Sequence, residues 1–250
     1  MQPRCLIVAP HPDDETIGTG NWMDRHRDTD ITVLHLTDGS PLDLSDARAA
    51  RFRSRKAYAL ARRRELRAAL ALVNISADRM RCFGYIDREC HLNLPELIAR
   101  LAGLVEDLKP EVVLSPSYEG GHPDHDSAAL AVAAVRRRVS KPFRHREYRL
   151  YHADHTGAMA THQFLPDSAA PVEIHSLSPA EQDTKRRMIE RFKSQQKILK
   201  EFAVTDERFR EAPLYDFTRP PHEGMLLYER WGWKMTGAEW RKHALAALLS

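Results

Sequence analysis

The chain lacks most of what would mark it as secreted, membrane-embedded or nucleic-acid-binding. Its 250 residues hold three cysteines, Cys5, Cys82 and Cys90, and no CxxC pair. An odd, scattered set makes no disulfide framework and fits a reducing cytoplasm. No apolar run approaches the ~20 residues that span a bilayer. The N-terminus shows no basic region followed by an apolar stretch and a cleavage site, so no signal peptide is expected. Net charge is small, with 38 basic and 35 acidic residues leaving +3. That balance argues for neither nucleic acid nor an anionic membrane as a partner. Internal repeats, low-complexity segments and a clear linker are also missing, and a hydrophobic content of 42% can fill a sizeable core. One domain over residues 1–250 is expected.

What the chain does have is an alternation of short apolar runs and helical patterns. Residues 4–10, 31–36, 79–85 and 111–115 read as strands, and residues 148–153 and 172–175 as two more. Between them, residues 16–27, 45–73 and 128–135 read as helices. Asn93 and Glu96 predict a capped helix start, followed by the stripe Leu97, Leu101, Leu104 and Leu108. Ser178 to Glu181 and Thr236 to Glu239 predict two further capping boxes. Met188, Phe192, Leu199 and Phe202 continue the apolar face of the first of these helices. Residues 156–171 and 204–223 look irregular, and residues 225–233 look strand-like. The pattern predicts an α/β fold, a mostly parallel, doubly wound sheet with helices on both faces.

The chain is organised around His11-Pro12-Asp13-Asp14-Glu15, which follows the first strand. In open α/β sheets ligands sit outside the carboxyl ends of strands. A His and three carboxylates crowded there repel one another unless a cation balances them. A turn with an Asp capping the next helix would need no metal. The balance shifts with Gly120-Gly121-His122-Pro123-Asp124-His125-Asp126, a second His-Pro-Asp turn between a strand and a helix. His11, Asp14 and one His of the second loop could ligate a divalent metal and leave a position open. Two His and a carboxylate suit zinc, and equally non-haem iron. Asp13 adjoins a ligand and is placed to act as a base, and the remaining His could steady an oxyanion or protonate a leaving amine. These parts suit metal-assisted hydrolysis of an amide.

Pro10 to Glu15, with Gly121-His122-Pro123-Asp124-His125, resembles the PIG-L/LmbE-like de-N-acetylases. Arg62-Arg63-Arg64-Glu65 with Ala69 and Leu72, and later Lys185 with Ser194-Gln195, resemble further family segments. The likeness is dense over residues 5–130 and thin beyond. Val73-Asn74 stands where the family has Leu-Gly, and Gly120 where some relatives carry Tyr. The resemblance implies a Rossmann-like fold and removal of acetyl from an N-acetylglucosamine-type conjugate with a divalent metal, usually zinc; Fe2+ stays the other metal that the donor set allows. It implies His11, Asp14 and His125 as ligands and Asp13 as general base. His122 becomes the oxyanion stabiliser or acid, Asp124 the residue that orients and charges His122, and Arg62 a substrate contact. The expected partner is a small acetamido sugar conjugate, with self-association left open. Other metal-dependent amidohydrolases, an iron(II) oxygenase on the same triad, and a non-catalytic sugar-binding relative are the competing readings. Of the remaining residues, His35, His152 and His155 are more readily surface or core groups, and Trp231, Trp233, Tyr215 and Tyr228 core packing, than site residues.

Overall fold

A computed structural model describes residues 2–166 and 170–249. Its main sheet has seven strands: β1 (Arg4–Ala9), β2 (Asp30–Thr37), β3 (Met80–Tyr85), β4 (Val112–Pro116), β5 (Arg144–Tyr148), β8 (Glu173–Ser176) and β9 (Asp206–Glu211). Two-residue strands β6 (His152–Ala153) and β7 (Met159–Ala160) pair as a separate ribbon. Strand order is β3-β2-β1-β4-β5-β9-β8. The first five strands are parallel, and β9 and β8 add an antiparallel edge. The chain leaves β1 toward β2 and β3, then crosses back to place β4 on the other side of β1. That reversal opens a crevice between the carboxyl ends of β1 and β4, where doubly wound sheets bind ligands.

Period-two alternation divides each central strand between two cores. Leu6, Val8, Leu34 and Leu36 pack toward α4 (Leu94–Leu108), α5 (Pro123–Arg136) and α9 (Gly237–Leu249). Cys5, Ile7, Ile31 and Val33 face α1 (Asp14–Arg25), α3 (Arg55–Leu70) and α6 (Pro179–Ile189). On α4 the buried face is Leu94, Leu97, Ile98, Leu101 and Val105, while Leu104 and Leu108 lie only half buried on its flank. Burying a side chain of that size stabilises by roughly 1.5–3 kcal/mol. Short helices α2 (Ser45–Ala49), α7 (Gln196–Leu199) and α8 (Leu227–Arg230) complete the chain.

Both later capping boxes form: Ser178 with Glu181 and Thr236 with Glu239. Asn74, in place of the family's Gly, takes the left-handed cap conformation at φ 62 after α3, which Asn tolerates. Other expectations fail. Asn93 does not cap α4; its amide donates to Glu89 O, and Glu96 accepts from Tyr85 Oη. The fifth strand ends at Tyr148, where it was expected to begin. α6 stops at Ile189, so Phe192, Leu199 and Phe202 reach the same core from the turns after it. Residues 206–211 form an inner strand, and residues 227–230 form a helical turn instead of a strand. The expected loop over 156–171 includes residues 167–169, which lie outside the described residues.

Candidate metal centre

The first loop is bent into shape by its own backbone. Pro10 O accepts both the N–H and the hydroxyl of Thr37, which fixes where β1 ends. Asp13, the residue before α1, has φ 146, a conformation that strains an L side chain. Such strain costs about 1–3 kcal/mol and persists only where neighbours enforce it. Here Arg62 donates to Asp13 Oδ2 at 2.8 Å and to Pro12 O at 2.9 Å, and its other terminal nitrogen bonds Gly39 O at 2.7 Å. Glu15 takes the Asp13 N–H at 3.1 Å and lies 2.9 Å from His35 Nε2, so His35 is a core partner of the loop.

The second loop comes close by having no side chain at Gly121. A Cβ there would lie 2.0 Å from Tyr151 O. Asp126 Oδ1 accepts the N–H groups of Glu119 and Gly120, which shapes the turn before α5. His122 caps α5: its Nδ1 accepts the Asp124 N–H at 3.1 Å.

All six sequence-predicted ligand and catalytic residues meet in this crevice, and all are buried. Asp14 Oδ2 lies 3.1 Å from His11 Nδ1 and 3.4 Å from His125 Nε2. Asp124 departs from its expected role. Its carboxylate accepts the N–H groups of Arg88 and Cys90 and lies 3.1 Å from His11 Nε2, but 4.0 Å from His122 Nδ1. Only its backbone N–H orients His122, because that group is already aimed at the cap position. Arg62 also departs. Its terminal nitrogens are committed to the Asp13 loop and Gly39, so it clamps the site as well as lining it.

Asp87 is the residue that sequence reasoning missed. It follows β3 at the same sheet edge, and its Oδ1 lies 3.1 Å from His11 Nε2 and 3.6 Å from His122 Nε2. No motif marks it; its place just past a strand's carboxyl end was the only signal.

Electrostatics follow from this crowding. Burial opposes charge on His11, but Asp87 and Asp14 outweigh it and raise its pKa well above the ordinary value. Burial would raise Asp14, yet His125 and His11 hold it well below the usual carboxylate range. Burial pushes Asp13 up to about 8, against Arg62 and with help from Asp14. His122 is lowered well below its ordinary value by burial, then by His11 and His125.

This donor set fits a divalent cation. His125 Nε2 and Asp87 Oδ1 are buried and make no well-aligned hydrogen bond, although Asp14 Oδ2 lies 3.4 Å from the one and His11 Nε2 3.1 Å from the other. Ligand atoms of His11, His122 and His125 lie within 4.8 Å of one another, as do those of His11, Asp87, His122 and Asp124. Buried polar atoms without partners are costly, and a metal would satisfy them. The cluster opens into a cavity of about 690 Å³, lined also by Tyr58, Tyr151, Phe202, Trp231 and Trp233. The two Trp residues therefore line the cavity, while Tyr228 is buried and Tyr215 packs half-buried against a core, as expected. His152 is buried away from it, and His155 is exposed.

A mostly parallel α/β sheet carrying a buried His and carboxylate cluster at its switch point is thus the class of protein defined. The chain belongs to the PIG-L family, whose profile, described as GlcNAc-PI de-N-acetylase, matches residues 6–136. It is 30% identical over 167 residues to the 1D-myo-inositol 2-acetamido-2-deoxy-alpha-D-glucopyranoside deacetylase of Tsukamurella paurometabola, covering 54% of this chain and 55% of that one. It is 29% identical over 158 residues to a probable N-acetyl-alpha-D-glucosaminyl L-malate deacetylase 2 of Bacillus subtilis, covering 58% and 66%. The chain thus spans between half and two thirds of these relatives. Its fold matches that of the zinc-inhibited teicoplanin deacetylase Orf2, with a TM-score of 0.65 at 16% identity over 83% of this chain and 97% of that one. Among the described residues, no helix is long and apolar enough to cross a membrane.

Proposed function

We propose that the chain is a divalent-metal-dependent hydrolase that removes the N-acetyl group from an N-acetylglucosamine-type sugar conjugate. The carrying observation is Asp14 Oδ2 lying between His11 Nδ1 and His125 Nε2, with Asp13 beside it. His11, Asp14 and His125 would hold the metal. Bound there, a divalent metal acidifies water and polarises the amide carbonyl. Asp13 accepts the proton of the attacking water, and Arg62 holds its carboxylate in place. His122 has its Nδ1 occupied by the Asp124 N–H, so its Nε2–H is the donor that faces the developing oxyanion. Zinc is the proposed ion, and iron(II) shares the donor set. The whole chain is proposed to act as one domain, because Trp240 of α9 donates to Pro123 O and Ser127 Oγ at the start of α5.

The names of the curated relatives, together with the family match, support the acetamido sugar as substrate. The test is acetate release from N-acetylglucosamine conjugates by metal-loaded and chelator-treated protein. Release that needs the metal and disappears in His11→Ala supports the reading. Equal release after chelation, or none from any conjugate, defeats it.

A further inference from the structure

Five aromatic rings form a continuous arc along one wall of the cavity. His122 meets Trp233 at a ring-centroid distance of 4.9 Å, and Trp233 meets Trp231 at 5.0 Å. Trp231 meets Tyr151 at 5.9 Å, and Tyr151 meets Phe202 at 5.9 Å. The arc begins on the proposed oxyanion donor and curves round the mouth of the centre, because the Tyr151 ring lies 5.0 Å from that of His125; Phe202 extends it outward. Gly232, at φ 70, supplies the left-handed turn between the two indoles. Trp22 and Trp240 are buried in the cores, but Trp231 is 39% exposed and lines the cavity.

The fixed charge on this wall is already compensated. The Arg88 guanidinium lies 4.1 Å over the Trp233 ring, and its terminal nitrogens reach Asp43 at 3.1 Å and Asp46 at 2.8 Å. Glu201, Lys193 and Lys197 also line the cavity, but all three are exposed, where solvent and salt screen them. The cation on this wall, Arg88, is thus already held by carboxylates and leaves no buried counter-charge for an acidic ligand. A cavity of about 690 Å³ falls within the range that holds drug-sized molecules.

We propose that this arc is the aglycone subsite and that it selects an apolar aglycone, aryl or alkyl, over a polyol or an acid. The inference rests on the deacetylase reading for the orientation of the sugar. Trp231 is the specificity-determining residue, because an aromatic face left open to solvent gains by being covered. Trp231 and Trp233 both fall outside residues 6–136, so the preference belongs to the part of the chain that does not match the family profile.

The experiment uses four N-acetylglucosaminides, with phenyl, octyl, inositol and malate aglycones. Acetate release by the metal-loaded protein is measured for each, and binding is measured separately by calorimetry. The phenyl or octyl conjugate should exceed both inositol and malate by about tenfold in kcat/KM, as two or so aromatic contacts provide. The phenyl and octyl arms tell an aryl from an alkyl preference. Trp231→Ala should cut that ratio at least about threefold, and Trp231→Phe should keep most of it. A thermal melt of each variant confirms that it is folded. A ratio at or below one in the wild type, or one unchanged in Trp231→Ala, overturns the inference. If no conjugate releases acetate but the apolar ones bind more tightly, the subsite stands and the deacetylase reading falls. If acetate is released but all four bind alike, the deacetylase reading stands and the subsite falls.

Discussion

Lys185 Nζ lies 2.7 Å from Glu207 Oε1, with both side chains fully buried against α1. Lys185 also donates to Ile17 O at 2.6 Å, and Glu207 accepts the N–H groups of Asn21 and Trp22 at 2.8 Å each. Ile17 O and Asn21 N–H are the two ends of one rung of a helical ladder. Both take side-chain partners here, so α6 and β9 grip the helix whose first turn carries Asp14. Lys185→Met should leave Glu207 buried and uncompensated, at a cost of about 3–5 kcal/mol. Denaturant unfolding of the metal-free protein reads this directly. A loss below about 1 kcal/mol would show the pair to be dispensable.

Arg62 should behave as a clamp more than as a substrate contact. Its guanidinium is the partner that holds Asp13 in a strained conformation. Arg62→Ala removes the donor that Asp13, Pro12 O and Gly39 O share in a buried loop, so a destabilisation of a few kcal/mol is expected together with a fall in kcat. A rise in KM alone, with an unchanged melting temperature, would return Arg62 to the substrate-binding role that the family resemblance implies.

The legible part of this site was the part written in local chain. Each His-Pro-Asp turn joins a strand to a helix within a dozen residues, so its position could be read from adjacent apolar runs. Arg62 was picked from its arginine run by its likeness to the family segment, and it is buried because it shares a helical face with Tyr58, Leu66 and Ala69. Asp87 could not, because its function depends on β3 ending beside β2 at the same edge as two distant loops. The strand at residues 206–211 was hidden for a different reason. Its inward side chains include Glu207 and Arg210, which are buried by pairing with Lys185 and Glu147. A strand whose core contacts are ion pairs carries no apolar alternation to detect. Trp231 and Trp233 read as a strand because of their composition, whereas the chain runs through a helical turn and Gly232 there.

Asp87→Asn should lower the pKa of His11 in the metal-free protein. After burial, the charge of Asp87 is the largest single effect on His11, and it raises the pKa. The amide keeps the shape but removes the charge 3.1 Å from His11 Nε2. Titration of the histidine ring signals by NMR checks this. An unmoved His11 midpoint would mean that Asp14 and Asp124 alone hold the proton.

Metal affinity should rise with pH. Below about pH 8 the metal-free protein keeps a proton on Asp13, and His11 keeps its proton well above the usual range. An incoming dication must displace both protons, so higher pH favours binding. The Asp13 contribution should level off above about pH 8 and vanish in Asp13→Asn, which therefore shows a shallower slope. Chelator competition across this range measures the slope, and calorimetry in buffers of different ionisation enthalpy counts the protons released. A wild-type affinity independent of pH would contradict the assignment.

Asp13 and His122 should divide the chemistry in a way their environments dictate. Asp13 is the group beside the proposed ligands that can take a proton once a cation lowers its pKa. His122 is poised differently. Burial, His11 and His125 depress its pKa well below the ordinary value, and the Asp124 N–H occupies its Nδ1. The imidazole is therefore neutral at physiological pH, with its proton on Nε2, and acts as a hydrogen-bond donor without being charged. Removing a base or an oxyanion donor typically costs on the order of a hundredfold or more in rate. Asp13→Asn and His122→Ala should each lose kcat by about that factor while retaining metal, as measured by elemental analysis. The pH profile separates the two roles. A neutral donor adds no falling limb to kcat/KM on the alkaline side, so wild type and His122→Ala should share one profile shape at different heights. A wild-type alkaline limb that disappears in His122→Ala would show instead that His122 works as a protonated acid, with Asp87, 3.6 Å from its Nε2, supporting the charge.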